Sequence, residues 1–171
     1  MCGASSGAGV TFVSTVVAMA LAQVGARVLL IEANVRRPSL DVLLPPPTPD
    51  DAGLLGFLQG SVEDPASVIH PDVVPNVSLV YAGGKSADAA DLFDTERFQH
   101  LVAYALRSYD LTLIDTPPAN RCAETRRIAA LAGYAAIVAR RNETMAEDLG
   151  TLMKDLRLDR TEVIGSIFNE G

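Results

Sequence analysis

Apolar residues recur along the chain in two rhythms. Between 11 and 24 they fall at Val13, Val16, Val17, Ala20, Leu21 and Val24, the i, i+3, i+4 spacing of one helix face, so a helix is expected over 11–23 with Gly25 as its stop. From 27 to 32 (RVLLIE) an unbroken apolar run lies between two charged residues, the pattern of a strand covered on both faces of a parallel sheet. The same rhythms predict short helices over 53–59 and 63–69 and a strand over 77–81 closed by Ala82-Gly83-Gly84. A helix capped by Asp94 follows, running to about 108 with Phe98, Leu101, Val102, Ala105 and Leu106 on its buried side. The strand 111–114 then delivers Asp115 at its tip, and Thr116-Pro117-Pro118 breaks away from the sheet. Helix 124–131, strand 135–139, helix 145–156 and strand 163–167 complete the series. The four prolines of 43–51 (LLPPPTPDD) exclude helix and central strand, so a stiff extended loop is favoured over a proline-rich ligand for a partner. Strand and helix alternate without repeat or linker. One α/β domain over residues 1–171, with a parallel central sheet and helices on both faces, is the expected fold class.

Composition narrows the function. With 171 residues and a 49% hydrophobic share, the chain suits one domain with a sizeable core. A net charge of −7 disfavours nucleic acid as a partner, because a broad basic face is needed to contact phosphates and Arg36/Arg37, Arg126/Arg127 and Arg140/Arg141 are only local pairs. Cys2 and Cys122 form no CxxC, and His70 and His100 stand apart, so neither a disulfide framework nor a clustered metal site is indicated. The apolar stretch 10–22 is too short and too polar to span a bilayer, and almost nothing ahead of the first turn leaves room for a signal peptide. An intracellular protein is expected.

Candidate chemistry gathers at the front. Ser6, Gly7, Ala8, Gly9, Val10 and Thr11 form a small-residue turn between a strand end, Met1-Cys2-Gly3, and a helix, where backbone N–H groups can surround a phosphate. A first strand cut short of its N-terminal part is expected. The lysine that neutralises phosphate in such loops is absent, and Val10 stands in its place. Gly3 to Gly9 also matches the glycine turn of short-chain dehydrogenases, and Tyr81 and Lys85 have the spacing of their catalytic pair. Two consecutive glycines between Tyr81 and Lys85 oppose the helical turn that would bring them together, and four turns of helix between Gly9 and Gly25 exceed that pattern.

Nearly the whole chain resembles the cytoplasmic domain of bacterial tyrosine kinases, the polysaccharide-linked relatives of the Min and Par partitioning ATPases. Ser5 to Thr11 is similar to the phosphate loop of that family, and Leu29-Leu30-Ile31-Glu32-Ala33-Asn34-Val35-Arg36-Arg37-Pro38 to its second motif, three apolar residues followed by Asp-x-Asp-x-Arg. Leu113-Ile114-Asp115-Thr116-Pro117-Pro118 resembles the Walker B motif, and 53–60, 80–83 and 164–169 follow in the family's order. The resemblance implies a P-loop NTPase-like, Rossmann-like three-layer fold. It also implies a loop lysine on the β and γ phosphates, two aspartates serving magnesium and the incoming hydroxyl, and a Walker B aspartate supporting the metal.

In this sequence those positions are Val10, Glu32, Asn34 and Asp115. Glu32 keeps an anionic oxygen at altered reach for magnesium. Asn34 has no carboxylate to accept a proton at neutral pH. A hydrogen bond to a charged group contributes about 1.5 to 3 kcal/mol, so losing the lysine weakens ATP by roughly one to two orders of magnitude, and phosphoryl transfer suffers more. Weak Mg-ATP or Mg-ADP binding is therefore compatible with the sequence, and no cofactor is assigned. Arg36 or Arg140 could supply a substitute cation. The expected protein is a degenerate kinase-like domain acting as scaffold or regulator in exopolysaccharide, capsule or holdfast-like secretion. It would dock at the inner face of the cytoplasmic membrane on the cytoplasmic part of a transmembrane polysaccharide co-polymerase or chain-length protein, through that partner or a fused segment, with homo-oligomers possible. An ATP-binding autokinase or deviant ATPase with a relocated cation, and a Min/Par-like localisation protein of a pilus or secretion machine, are the alternatives.

Overall fold

The computed structural model describes residues 1–47, 53–87 and 89–170. Strands β1 (Cys2–Gly3), β2 (Val28–Glu32), β3 (His70–Val74), β4 (Val77–Val80), β5 (Leu111–Asp115), β6 (Tyr134–Arg140) and β7 (Glu162–Asn169) alternate with helices α1 (Val10–Gln23), α2 (Leu40–Leu43), α3 (Leu54–Leu58), α4 (Glu96–Ser108), α5 (Glu124–Ala132) and α6 (Ala146–Leu158). Hydrogen-bonded order is β3-β4-β2-β5 in one group and β1-β6-β7 in the other. The groups meet where the Met1 nitrogen donates to Ile114 O at 2.8 Å and Thr116 Oγ1 donates to Met1 O at 2.9 Å.

Alternation along β2 shows how both faces are covered. Val28 and Leu30 pack with Ala18 and Ala22 of α1, whereas Leu29 and Ile31 pack with Phe57 of α3 and Phe98, Leu101 and Ala105 of α4. A strand buried on both sides reads as a continuous apolar run, which is why 28–31 was legible. Every pairing is parallel except β3 with β4, which is antiparallel. The strand β3 is an addition to the expected series: His70-Pro71-Asp72 carries too little apolar alternation to signal one.

Four local expectations are corrected. The buried face of α1 is Val13, Ser14, Thr15, Ala18 and Ala22, while Val16 and Ala20 are exposed and Val24 is 82% exposed. Ser14, Ala18 and Ala22 recur every four residues as a ridge of small side chains, which lets the helix lie close on the sheet. Residues 63–69 hold only a 3-10 turn, Pro65–Val68, with Asp64 accepting from the Ala66 N–H. The cap position of α4 is Thr95, not Asp94, whose carboxylate instead pairs with Arg127 at 2.8 Å. Leu106 lies on the outer side of α4, 70% exposed. Of the expected proline-rich loop, Leu43 ends α2 and residues 44–47 hold no regular element; 48–51 lie outside the described residues. No helix among the described residues is long and apolar enough to cross a membrane.

Candidate functional site

The loop between β1 and α1 is held by backbone geometry and by two side chains from the far strands. Gly7 and Gly9 adopt φ of 84° and 80°, the left-handed region that favours glycine. Arg140, at the end of β6, donates from Nη1 to Gly7 O at 3.1 Å, and Asn169, at the end of β7, donates from Nδ2 to Ala8 O at 3.1 Å. A Cβ on Gly9 would collide with the Asn169 amide, and one on Gly3 would stand 2.7 Å from Val10 Cγ2. Val10 is half-buried and packs against the cluster of Ala8, Val13 and Val138.

Behind the loop, Thr11 Oγ1 donates to Asp115 Oδ2 at 2.7 Å, and Ser39 Oγ lies 3.4 Å from the same hydroxyl. Asp115 is fully buried and its Oδ1 has no hydrogen-bond partner among the described residues. Burial pushes its carboxyl up to about 7, against the Thr11 hydrogen bond and the positive Met1 nitrogen, with the Glu32 charge adding to the rise. Glu32 stands opposite Asp115 in the β2–β5 register. Its Oε1 accepts from the N–H groups of Ser39 at 2.6 Å and Leu40 at 2.7 Å, and its Oε2 from Ala82 N–H at 3.1 Å. Burial raises its pKa while those three N–H groups lower it, with burial the larger effect. Both oxygens are thus engaged by backbone, and the side chain ties the start of α2 to the end of β4.

Asn34 is half-buried at the mouth, where Oδ1 accepts from Arg37 N–H at 3.3 Å. Arg36 ion-pairs with the buried Glu124. Glu32 and Arg36, four residues apart, thus turn to different partners, three backbone N–H groups and Glu124. Tyr81 is buried with its hydroxyl donating to Leu44 O at 2.8 Å, Lys85 is exposed, and 81–85 is not helical, so the dehydrogenase pair is not assembled. The missed contributors are Ser39, Asn169 and Glu124. The Ile164-Gly165 to Asn169 ending hinted at the second, while Glu124 carried no signal beyond opening a helix.

The loop, Thr11, Asn34 and Ser39 enclose a cleft of about 350 Å³ whose other walls are Phe12, Val42, Leu43, Thr116 and Pro118. Magnesium is commonly held by one or two carboxylates with phosphate and water, and the orphaned Asp115 Oδ1 beside the Thr11 hydroxyl fits that role. A triphosphate on the backbone turn would find no lysine or arginine among the described residues lining the cleft. Shape and metal side agree with a nucleotide; the charge complement does not.

No protein-family model matches the chain. Over 167 residues, 98% of its length, it is 32% identical to the tyrosine-protein kinase Wzc of Salmonella typhi, and over 162 residues it is 29% identical to the tyrosine-protein kinase Ptk of Acinetobacter johnsonii. The backbone matches the kinase domain of the Escherichia coli tyrosine kinase ETK with a TM-score of 0.89 at 28% identity, over 98% of this chain and 65% of that one. The chain is homologous to bacterial tyrosine-kinase domains. This kinase homologue spans only 23% of the length of Wzc and 22% of Ptk. A cobyrinic acid a,c-diamide synthase of Mycobacterium smegmatis, solved with ADP and magnesium, shares the fold at a TM-score of 0.75 and 19% identity. In the kinase homologue, Val10 packs inward, Glu32 is bound by backbone N–H groups and Asn34 carries a neutral amide.

Proposed function

We propose that this domain is a catalytically degenerate tyrosine-kinase homologue that works by binding, as scaffold or regulator in the production and export of an exopolysaccharide, capsule or holdfast-like polymer. The observation that carries the reading is Val10 packed inward beneath a phosphate loop whose cleft is lined by no cation. Glu32 adds to it: a carboxylate holding three backbone N–H groups has little capacity left for a metal. Loss of the charge that stabilises the transferring phosphoryl group removes the main source of catalysis in this reaction class. Its partner in this reading is the cytoplasmic part of a transmembrane polysaccharide co-polymerase or chain-length protein, which would hold it at the inner face of the membrane. Isothermal titration with Mg-ATP and an autophosphorylation assay test the reading. Weak or no binding without phosphorylation is expected, and turnover that disappears in Asp115→Ala overturns it.

A second reading rests on one contact. Arg140 already reaches the Gly7 carbonyl, so a modest rotamer change would turn its guanidinium toward a phosphate on the loop. A chain active through this relocated cation would bind Mg-ATP tightly and lose about ten- to hundredfold affinity in Arg140→Ala.

A further inference from the structure

Alongside β5 and β6, ahead of Met1, lies an apolar cavity of about 390 Å³ walled by Val102, Leu106, Ile128 and Leu131 of α4 and α5 and by Tyr134 and Ile164. Leu106, Leu131, Tyr134 and Ile164 are exposed there, although each is large and apolar. Among the described residues, the cavity shares only Thr116 with the nucleotide cleft.

The gap between the two strands is one strand wide. At its inner end it is filled by Met1, whose nitrogen donates to Ile114 O at 2.8 Å and whose carbonyl accepts from Thr116 N–H at 3.3 Å, while Cys2 pairs with Ile137 of β6. Those bonds set Met1 beside Asp115. Ladder bonds leave a strand alternately to either side, so Asp115 O turns to Ala33 N–H on β2, at 2.9 Å, whereas Thr112 and Ile114 aim N–H and C=O groups into the gap. The side chain of Thr112 shares a face with Ile114, and its Oγ1 is buried with no hydrogen-bond partner among the described residues.

A small apolar molecule could cover the side chains of this cavity but could not pair the backbone of β5. A strand does both. We infer that the gap takes an extended segment of this protein's own chain, the residues directly ahead of Met1, as a continuation of β1 parallel to β5 and β6. Continuity selects this occupant: the Met1 nitrogen already stands in the gap, and Wzc, of which this chain spans 23%, carries much more chain than this domain. Alternation fixes its chemistry. Cys2 packs with Ala129 and Leu156 and Met1 with Val13 and Val17, so the first and third residues ahead of Met1 face α4 and α5, beside Ile114 and Thr112, and the second and fourth face α1. A large apolar residue suits the first position and a hydroxyl the third. The inference goes beyond the proposed function, because an active domain and a degenerate one would carry the same gap.

Two chains test it, one with Val-Thr-Val-Ile placed ahead of Met1 and one with Gly-Ser-Gly-Ser. The apolar extension should raise the urea midpoint above that of its Gly/Ser counterpart and slow amide exchange at Thr112 and Ile114 about tenfold or more. Leu106→Ser, exposed in the present chain, should leave the midpoint of the Gly/Ser chain unchanged and reduce the gain from the apolar extension. Equal midpoints and equal exchange in the two extended chains overturn the assignment. So does protection of Thr112 and Ile114 that grows with protein concentration in the present chain, which makes a second copy the occupant. Equal protection by the same tetrapeptide added free at equimolar concentration also overturns it, in favour of a strand from a partner, because a tethered segment has the far higher effective concentration.

Discussion

The Thr11 hydroxyl donates to the Asp115 carboxylate at 2.7 Å, joining the first turn of α1 to the tip of β5 across 104 residues of chain. This contact satisfies one oxygen of a buried acid and leaves the other without a partner. With its pKa near 7, Asp115 is largely protonated in the folded chain through a range where the unfolded chain has ionised it. Between about pH 4 and 7 the folded state thus binds the extra proton, and this group's contribution to stability falls as pH rises.

Asp115→Asn removes that dependence, since an amide resembles the neutral acid and never ionises. Urea unfolding at pH 5 and pH 8 should show wild type losing stability toward pH 8, and the variant losing less, by on the order of 2–4 kcal/mol. Glu32, whose pKa is also raised by burial, contributes with the same sign and keeps a residual slope in the variant.

Glu32→Gln tests the opposite property of the neighbouring carboxylate. One amide oxygen cannot accept from Ser39, Leu40 and Ala82 together, and the new NH₂ would face a backbone donor. A loss of about 3 kcal/mol is expected. Hydrogen exchange should lose protection first at the Leu40 and Ala82 amides, because their acceptor is the side chain itself. Unchanged protection would mean that this carboxylate is not the tie between α2 and β4.

The contrast between these two acids shows what the sequence could convey. The apolar run ending in Glu32, the glycines of the loop and the strand delivering Asp115 report local backbone states, which follow from periodicity and from residue type. Three donors converging on Glu32 come from Ser39, Leu40 and Ala82, and the last is brought close only by the pairing of β2 with β4. The same is true of Arg140 and Asn169, which reach the loop because β6 and β7 end beside it. The buried face of α1 was misjudged for a related reason. Hydrophobicity pointed to the valines, whereas close approach to the sheet selected Ser14, Ala18 and Ala22.

Gly53 and Gly83 offer a test of packing away from the cleft. The backbones touch where Leu54 N–H donates to Tyr81 O at 2.8 Å and Leu55 N–H to Ala82 O at 3.0 Å, and a Cβ on Gly53 would be driven into Gly83. Gly83 Cα, Gly83 N and Tyr81 O, the atoms it would meet, belong to the backbone and cannot swing aside. Gly53→Ala should cost about 2–3 kcal/mol in a denaturant titration, comparable with overpacking a core. A loss below about 0.5 kcal/mol would show that the two segments separate easily.

Val10→Lys bears most directly on the proposed function. The isopropyl group packs with Ala8, Val13 and Val138, so the longer cation must leave that cluster and point into the cleft, at a cost of about 1 kcal/mol in lost burial. Once there, its ammonium lies among loop residues whose turn already suits phosphate, and Mg-ATP affinity should rise about ten- to hundredfold by isothermal titration. Autophosphorylation should remain absent, because Asn34 still offers an amide where a proton acceptor is needed. Adding Asn34→Asp to Val10→Lys then separates the two deficits: phosphorylation that appears only in the double variant assigns binding to the first position and proton transfer to the second. If affinity is unchanged in Val10→Lys, another residue already supplies the charge, and Arg140 is the one the loop holds.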